Sequence, residues 1–183
     1  MSNQRRRPLT EKESVQDNFW NQDVLREVHT RSPRMLQTFE KVKSVASTKT
    51  TVLLLGDTGV GKGMVAKLIH QHSSRKDEEF VHVHCGALPD TLVESELFGY
   101  EKGAFTGAAK RKLGRFDKAQ KGTIFLDDVN TISETMQIKL LQVLQERIFQ
   151  RVGGESPIEA DVRVIAASNS DLQQLCDEGL FRK

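Results

Sequence analysis

A chain of 183 residues is long enough for one domain with a real core and too short for two comfortable ones. Hydrophobic residues at 37% and charged residues at 28% are ordinary for a globular domain, and a net charge of +2 is too small to argue for a nucleic-acid surface. No apolar run approaches the ~20 residues that span a bilayer, and the basic start MSNQRRRPLTEKES has no apolar stretch behind it to make a secretory signal. Cys85 and Cys176 lie too far apart in sequence to suggest a disulfide framework or a metal knuckle. A reduced, soluble, cytoplasmic domain without a membrane partner is expected.

Residues 1–30 are polar and aperiodic and read as an N-terminal tail or linker in which only Trp20 is expected to pack; Arg5, Arg6 and Arg7 read as solvated. From residue 31 the pattern changes. Ser32 and Pro33 fit an N-cap and a first helical residue, and Leu36, Phe39, Val42 and Val45 mark one apolar face. TTVLLLG (50–56) predicts a buried strand, GMVAKLIHQHS (63–73) a helix with Val65, Leu68 and Ile69 inward, and FVHVHC (80–85) a second strand. TIFLDDV (123–129) predicts a third strand ending in acids. A helix is then expected from Thr131, with Thr131 and Glu134 as a capping box and Met136, Leu140, Leu141, Leu144 and Ile148 as its stripe. DVRVIAAS (161–168) predicts a fourth strand, after which Asp171 caps a short helix stopping at Gly179. Strands alternating with helices imply a parallel sheet covered on both faces.

Chemistry concentrates at GDTGVGKG, residues 56–63. Gly56, Gly61 and Lys62 satisfy the G-x4-G-K core of a phosphate-cradling loop, and the motif stands between a predicted strand and a predicted helix. Gly56, Asp57, Thr58, Gly59, Val60, Gly61, Lys62 and Gly63 are therefore the expected nucleotide-binding residues. Glycines let backbone N–H groups turn toward phosphate oxygens, the helix N-terminus adds partial positive charge, and Lys62 reaches the outer phosphates. Gly63 is irregular, because many such loops place there a hydroxyl that ligates Mg²⁺. Water can fill that coordination position, since magnesium keeps several waters readily. Asp127, at the end of the third strand, is expected to hold the metal through its water shell, and Asp128 to orient or deprotonate the attacking water.

The stretch ELFGYEKGAFTGA (96–108) obeys neither helix nor strand rules. Its core, Gly103, Ala104, Phe105, Thr106, Gly107 and Ala108, matches the loop motif of the AAA+ domain in sigma-54-dependent transcription activators, the bacterial enhancer-binding proteins. Chance produces a fixed hexapeptide at about one position in 10⁷ at average composition, so the match is informative. The chain resembles that family over roughly residues 25–183, through GRF, GTIFLDD, LLQVLQERIFQRVGG and VRVIAASNSDL. The resemblance implies an α/β P-loop NTPase (AAA+) fold, a parallel sheet flanked by helices in a three-layer sandwich, with residues 31–183 forming the α/β part of the sigma-54 interaction domain. It further implies an ATPase with ATP and Mg²⁺ as cofactors and assembly of the complete domain into a ring, commonly a hexamer. The partner would be sigma-54 RNA polymerase holoenzyme, remodelled through the 103–108 loop with Phe105 and Thr106 in contact. By similarity Asn169 would sense the γ-phosphate, and Arg182 would be the first of two arginines offered to a neighbouring subunit's nucleotide.

Departures from the family pattern accompany the match. The position after the loop lysine is usually Glu, so a missing hydroxyl at Gly63 is not disqualifying. The second strand-end acid is usually Glu, whereas Asp128 is one methylene shorter. An asparagine that restrains the catalytic acid is replaced by His84, a candidate switch that reads equally well as an ordinary strand residue. His82 and His84 make a candidate metal pair for which the sequence suggests no third ligand. The sequence stops at Lys183, before the family's second arginine, last strand and helical lid, so the expected fold is incomplete at the C-terminus and the strand before the phosphate loop becomes an apolar edge. DNA contact would need a domain outside this sequence. The leading expectation is an ATP-hydrolysing activator core; the alternative is a nucleotide- or sigma-binding fragment without hydrolysis.

Overall fold

In the computed structural model, which describes residues 32–87 and 89–182 (the side chains of Asp90 and Thr91 apart), the apolar runs form a parallel sheet with helices between its strands. The expectations for residues 1–30, including Trp20 and the three arginines, lie outside the described residues. Packing divides the chain into a unit ending at Ser44 and a second beginning at Val45. The described part of the first is most of helix α1, Pro33–Ala46, whose opening turn is closed by Leu36 N–H donating to Ser32 O at 3.1 Å. Phe39, Val42 and Ala46 are buried, whereas Leu36 is 43% exposed. Strict spacing by threes drifts around a 3.6-residue helix, so the buried stripe follows steps of three and four instead.

The second unit is built on β1 (Val52–Leu55), α2 (Lys62–Gln71), β2 (Phe80–His84), α3 (Asp90–Phe98), β3 (Gly99–Tyr100), β4 (Lys112–Leu113), α4 (Arg115–Lys118), β5 (Thr123–Asp127), α5 (Glu134–Glu146), β6 (Ile148–Phe149), β7 (Ile158–Glu159), β8 (Arg163–Ser168) and α6 (Leu172–Asp177). Four strands make the parallel sheet in the order β1-β8-β5-β2. β5 and β8 occupy its centre and are almost wholly buried. Two short antiparallel pairs, β3 with β4 and β6 with β7, stand outside it.

Three expectations change. β1 is not fully buried: Leu53 is 45% and Leu55 58% exposed, because β1 is an edge strand that pairs with β8 alone in this sheet. The helix expected from Thr131 begins instead at Glu134 with Ser133 as its extended N-cap. Val129–Thr131 form a 3₁₀ turn, and the Thr131 hydroxyl donates to Asp128 O at 2.7 Å rather than capping α5. Ile148 leaves the helical stripe because Arg147 turns left-handed, φ 59°, and the chain enters β6; Val143 completes the buried face. Asp171 caps α6 as expected, accepting from Gln173 N–H at 2.9 Å.

The main core joins β2, β5 and β8 to α3, α4 and α5. Phe98 stacks on Phe116 with ring centroids 5.4 Å apart, and Phe149 closes the cluster at 6.1 and 5.8 Å. An apolar cavity of about 250 Å³, lined by Val52, Leu140, Leu144, Leu172 and Phe181 among others, shares no residue with the glycine loop.

On the other sheet face, His70 of α2 is buried and its Nδ1 lies 3.0 Å from Thr123 Oγ1. Burial holds its pKa below the ordinary 6.5, helped by the Arg163 charge and opposed by a backbone hydrogen bond at Glu78. On acidification the unfolded chain takes up this proton first. The stability contribution is thus complete above pH 6.5 and lost as pH falls through the folded-state value. The urea midpoint should be flat above that pH, should fall below it, and should fall less steeply in His70→Gln.

Candidate active site

The phosphate loop begins where β1 ends. Gly56 N–H donates to Ser168 O at 3.2 Å, which ties the loop to the end of β8. Gly59 and Gly61 take left-handed torsions, φ 85° and 95°, and Gly61 is the N-cap of α2. Nothing lies within 4 Å of a Cβ built on Gly59, so glycine serves the backbone torsion there, not a close approach. Lys62 Nζ donates to Gly56 O at 2.9 Å and Asp57 O at 3.1 Å, placing the ammonium across the loop's own carbonyls. Val60 is 54% exposed at the loop's crest.

Gly63 sits in the first turn of α2 without a left-handed torsion, and a Cβ there would rest at an ordinary 3.7 Å from Phe125 Cε1. Neither torsion nor space demands glycine. Gly63→Ala should therefore raise stability by about 0.5–1 kcal/mol, read as a higher urea midpoint at unchanged slope.

β5 carries four buried residues to the half-buried Asp127 and then stops. Asp128 turns left-handed, φ 56° and ψ 47°, and its N–H donates to Asp127 Oδ1 at 3.1 Å. β8 lies between β1 and β5, so the glycine loop and the acids leave the same sheet edge on either side of it. Asn169 follows β8 directly and donates from Nδ2 to Thr58 Oγ1 at 3.3 Å, while Ser168 Oγ reaches Asn130 Oδ1 at 3.2 Å. The loop is thereby bonded to Asn169, and the end of β8 to the turn that follows the acids, at the carboxyl ends of parallel strands, where open α/β sheets bind ligands.

His84, a candidate switch or an ordinary strand residue, is the register partner of Asp127, and its Nδ1 is 3.5 Å from Asp127 Oδ2. His82 Nε2 is 3.6 Å from the same oxygen. A carboxylate oxygen thus stands beside both imidazoles, where the sequence suggested no third candidate. Burial, and then His84, hold the His82 pKa below its ordinary value, against the opposing pull of Asp127. Cys85 is a packing residue. Burial, reinforced by Asp127 and Asp128, pushes its thiol up to about 12, too high for a nucleophile.

Residues 103–108 cap the β3–β4 hairpin. Gly103 N–H donates to Ala108 O at 2.9 Å and Ala108 N–H to Phe105 O at 3.0 Å, with Gly103 and Gly107 left-handed at φ 85° and 101°. This closes a tight loop that leaves Phe105 48% exposed, its ring edge-on to Tyr100 at 4.9 Å, while Ala108 is buried. Thr106 is exposed at the tip. Arg182 lies apart from the loop and the acids in its contacts: its N–H donates to Gln137 Oε1 at 2.9 Å and its guanidinium pairs with Glu134 at 3.1 Å.

A family model for the sigma-54 interaction domain matches residues 28–183. The chain belongs to the sigma-54 interaction domain family. It is 51% identical over 158 residues to the Nif-specific regulatory protein of Azospirillum lipoferum, a match covering 86% of this chain and 25% of that protein. A crystal structure of NtrX from Brucella abortus superposes with TM-score 0.78 at 31% identity, covering 97% of this chain and 42% of that one. NtrX in complex with ATP superposes at 0.76 and 30% identity, covering 97% and 43%. The chain therefore spans about a quarter of the length of the first curated relative. The parallel P-loop sheet flanked by helices is the fold that the resemblance implied.

The base of the 103–108 loop is tied down by residues that had no sequence signal. Arg151, from the β6–β7 connection, pairs with Asp117 of α4 at 2.5 Å and with Glu101 at the loop's base at 3.3 Å. Glu101 N–H donates to Val152 O and Val152 N–H to Gly99 O, both at 3.0 Å. Gly153 permits this approach, since a Cβ there would meet Ala104 Cβ at 2.7 Å. Among the described residues no helix is long and apolar enough to cross a membrane.

Proposed function

We propose that this chain is the ATP-hydrolysing core of a sigma-54-dependent transcription activator, which remodels sigma-54 RNA polymerase through residues 103–108. The observation that carries the reading is the arrangement at the sheet's carboxyl edge: left-handed Gly59 and Gly61, Lys62 at a helix N-terminus, and Asp127 and Asp128 across one intervening strand. NtrX, at 30% identity, has been crystallised with ATP.

The donor set suits a magnesium triphosphate: loop amides and an ammonium for the phosphates, a strand-end carboxylate for a hydrated hard cation. Asp127 would hold magnesium through its waters, and the ion would supply neutralisation of phosphate charge. The Gly59–Gly61 amides and the Lys62 ammonium hold the outer phosphates. Asp128 takes a proton from the water that attacks the terminal phosphorus, as the bond to the ADP oxygen breaks and phosphate and ADP leave. Asn169, bonded to Thr58, reads whether the terminal phosphate is present. Gly63 offers no side-chain oxygen, so water would have to take that position on the ion.

Arg182 is 48% exposed on its side chain and could leave Glu134 for a neighbouring subunit's nucleotide in a ring, the assembly proposed for the complete domain. Phe105 and Thr106 at the tip would touch sigma-54, with Gly103, Ala104, Gly107 and Ala108 shaping the loop. DNA would be read by another part of the full protein.

Binding of a fluorescent ATP analogue and phosphate release test the reading together. Lys62→Ala removes a charge-assisted hydrogen-bond donor and should weaken ATP by about 10–100-fold. Thr106→Ala should lose sigma-54 engagement while keeping turnover. A folded chain that binds no ATP would sink the proposal.

A further inference from the structure

β2 places His82 and His84 two residues apart, so both imidazoles leave the sheet on one face while Val81 and Val83 enter the core on the other. That is the face covered by α2. Phe80, also on it, packs against His70 of α2 at 5.2 Å, and His82 packs on Phe125 at 4.7 Å. The two histidine rings stand 4.0 Å apart at their centroids. The register pairing of His84 with Asp127 then brings a carboxylate oxygen to both rings. One ligand atom from each of the three lies within 4.8 Å of the others, and the two nitrogen–oxygen separations are 3.5 and 3.6 Å.

Bonds of about 2.0–2.1 Å to a tetrahedral ion put ligand atoms roughly 3.4 Å apart, so the two nitrogen–oxygen separations need little adjustment. Two imidazoles and one carboxylate suit zinc, cobalt or nickel, not magnesium or calcium, which prefer oxygen throughout. The imidazoles are accessible, with side-chain exposures of 36% for His82 and 59% for His84, so an ion can enter and retain a water.

We propose that His82, His84 and Asp127 form a site for a divalent transition metal of the zinc type, and that filling it competes with nucleotide magnesium for Asp127. The metal site stands on the side-chain geometry alone. The competition rests on the functional reading above, in which Asp127 holds magnesium. A metal on Asp127 Oδ2 withdraws that carboxylate from the magnesium water shell, so zinc inhibits ATP turnover and magnesium–ATP displaces zinc.

Cobalt(II) reports the site directly, because its visible absorption distinguishes tetrahedral from aqueous coordination. Protein purified without a polyhistidine tag and without nucleotide should bind one Co²⁺ per chain with tetrahedral absorption, and Zn²⁺ should displace it. His84→Asn keeps a polar side chain at the position yet removes the ligand; it and His82→Ala should each weaken the metal at least tenfold, with unchanged far-ultraviolet circular dichroism. Magnesium with a non-hydrolysable ATP analogue should bleach the absorption, and Zn²⁺ should inhibit phosphate release by the wild type but not by the His82→Ala/His84→Asn double variant. No Co²⁺ binding by the folded wild type, or binding indifferent to both histidines, overturns the site. Metal bound through both histidines but undisturbed by the magnesium nucleotide overturns the competition and leaves the site. A chain that binds Co²⁺ this way and binds no ATP keeps the metal site, while the competition falls with the functional reading.

Discussion

Replacing Asp128 by asparagine should cut ATP turnover by about 10²–10⁴-fold, the usual contribution of a positioned proton acceptor, while ATP affinity changes little. Asparagine suits the test because it tolerates the left-handed torsion at this position, φ 56°, about as well as aspartate does, so the 3₁₀ turn behind it should persist. What changes is the capacity to accept a proton. Asp128→Glu probes reach instead. A misplacement of about 1 Å can cost on the order of 10² in rate, so if the shorter acid limits this chain, glutamate should raise turnover by about 10–100-fold. Glutamate tolerates the left-handed torsion less well, at a stability cost of about 1 kcal/mol. Faster turnover with a lower urea midpoint is the expected pair of results. Single-turnover phosphate release separates chemistry from product release, and a rate untouched by Asp128→Asn would remove Asp128 from proton transfer.

Much of this site is legible in the sequence because it is local. A G-x4-G-K loop needs only a strand before it and a helix after it, and Val52–Leu55 and Lys62–Gln71 supply both. Asp127 and Asp128 are legible because three apolar residues in a row, Ile124, Phe125 and Leu126, announce a central strand whose end must emerge. Ring contacts and sigma contacts belong to family knowledge, and the fold itself came from alternation of apolar runs. Illegible parts have a common cause: they depend on register between distant strands or on very short elements. His82 and His84 predict a shared face but not Asp127 as their neighbour, which is set by the pairing of β2 with β5, 43 residues away from His84 to Asp127. β3, β4, β6 and β7 are two residues each, too short for periodicity to show. The start of α5 is illegible for a related reason: Thr131 and Glu134 satisfy a capping spacing, yet after the left-handed Asp128 the chain spends Val129–Thr131 on a 3₁₀ turn before the helix can begin.

Removing the Arg151 side chain should destabilise the protein by about 3–5 kcal/mol, the cost of leaving one partner of a buried ion pair uncompensated. Both members are well covered, with side-chain exposures of 11% for Arg151 and 12% for Asp117. Asp117 keeps one donor, Gly114 N–H at 2.8 Å, which argues for the lower end of that range in Arg151→Ala. The pair need not be net stabilising in itself: Arg151 Nε is buried without a hydrogen-bond partner, a penalty the guanidinium already carries. A double-mutant cycle with Asp117→Asn separates the two contributions, and the double variant should lose less than the sum of the single ones. The consequence reaches the exposed loop. Arg151 also holds Glu101, whose N–H bonds Val152 O, and Val152 in turn bonds Gly99. Without the guanidinium, the amides of Glu101 and Val152 should exchange with solvent much faster, relative to those of β5, than in the wild type. If the midpoint falls but those two amides keep their relative protection, Arg151 is a packing residue and does not clamp the root of the 103–108 loop.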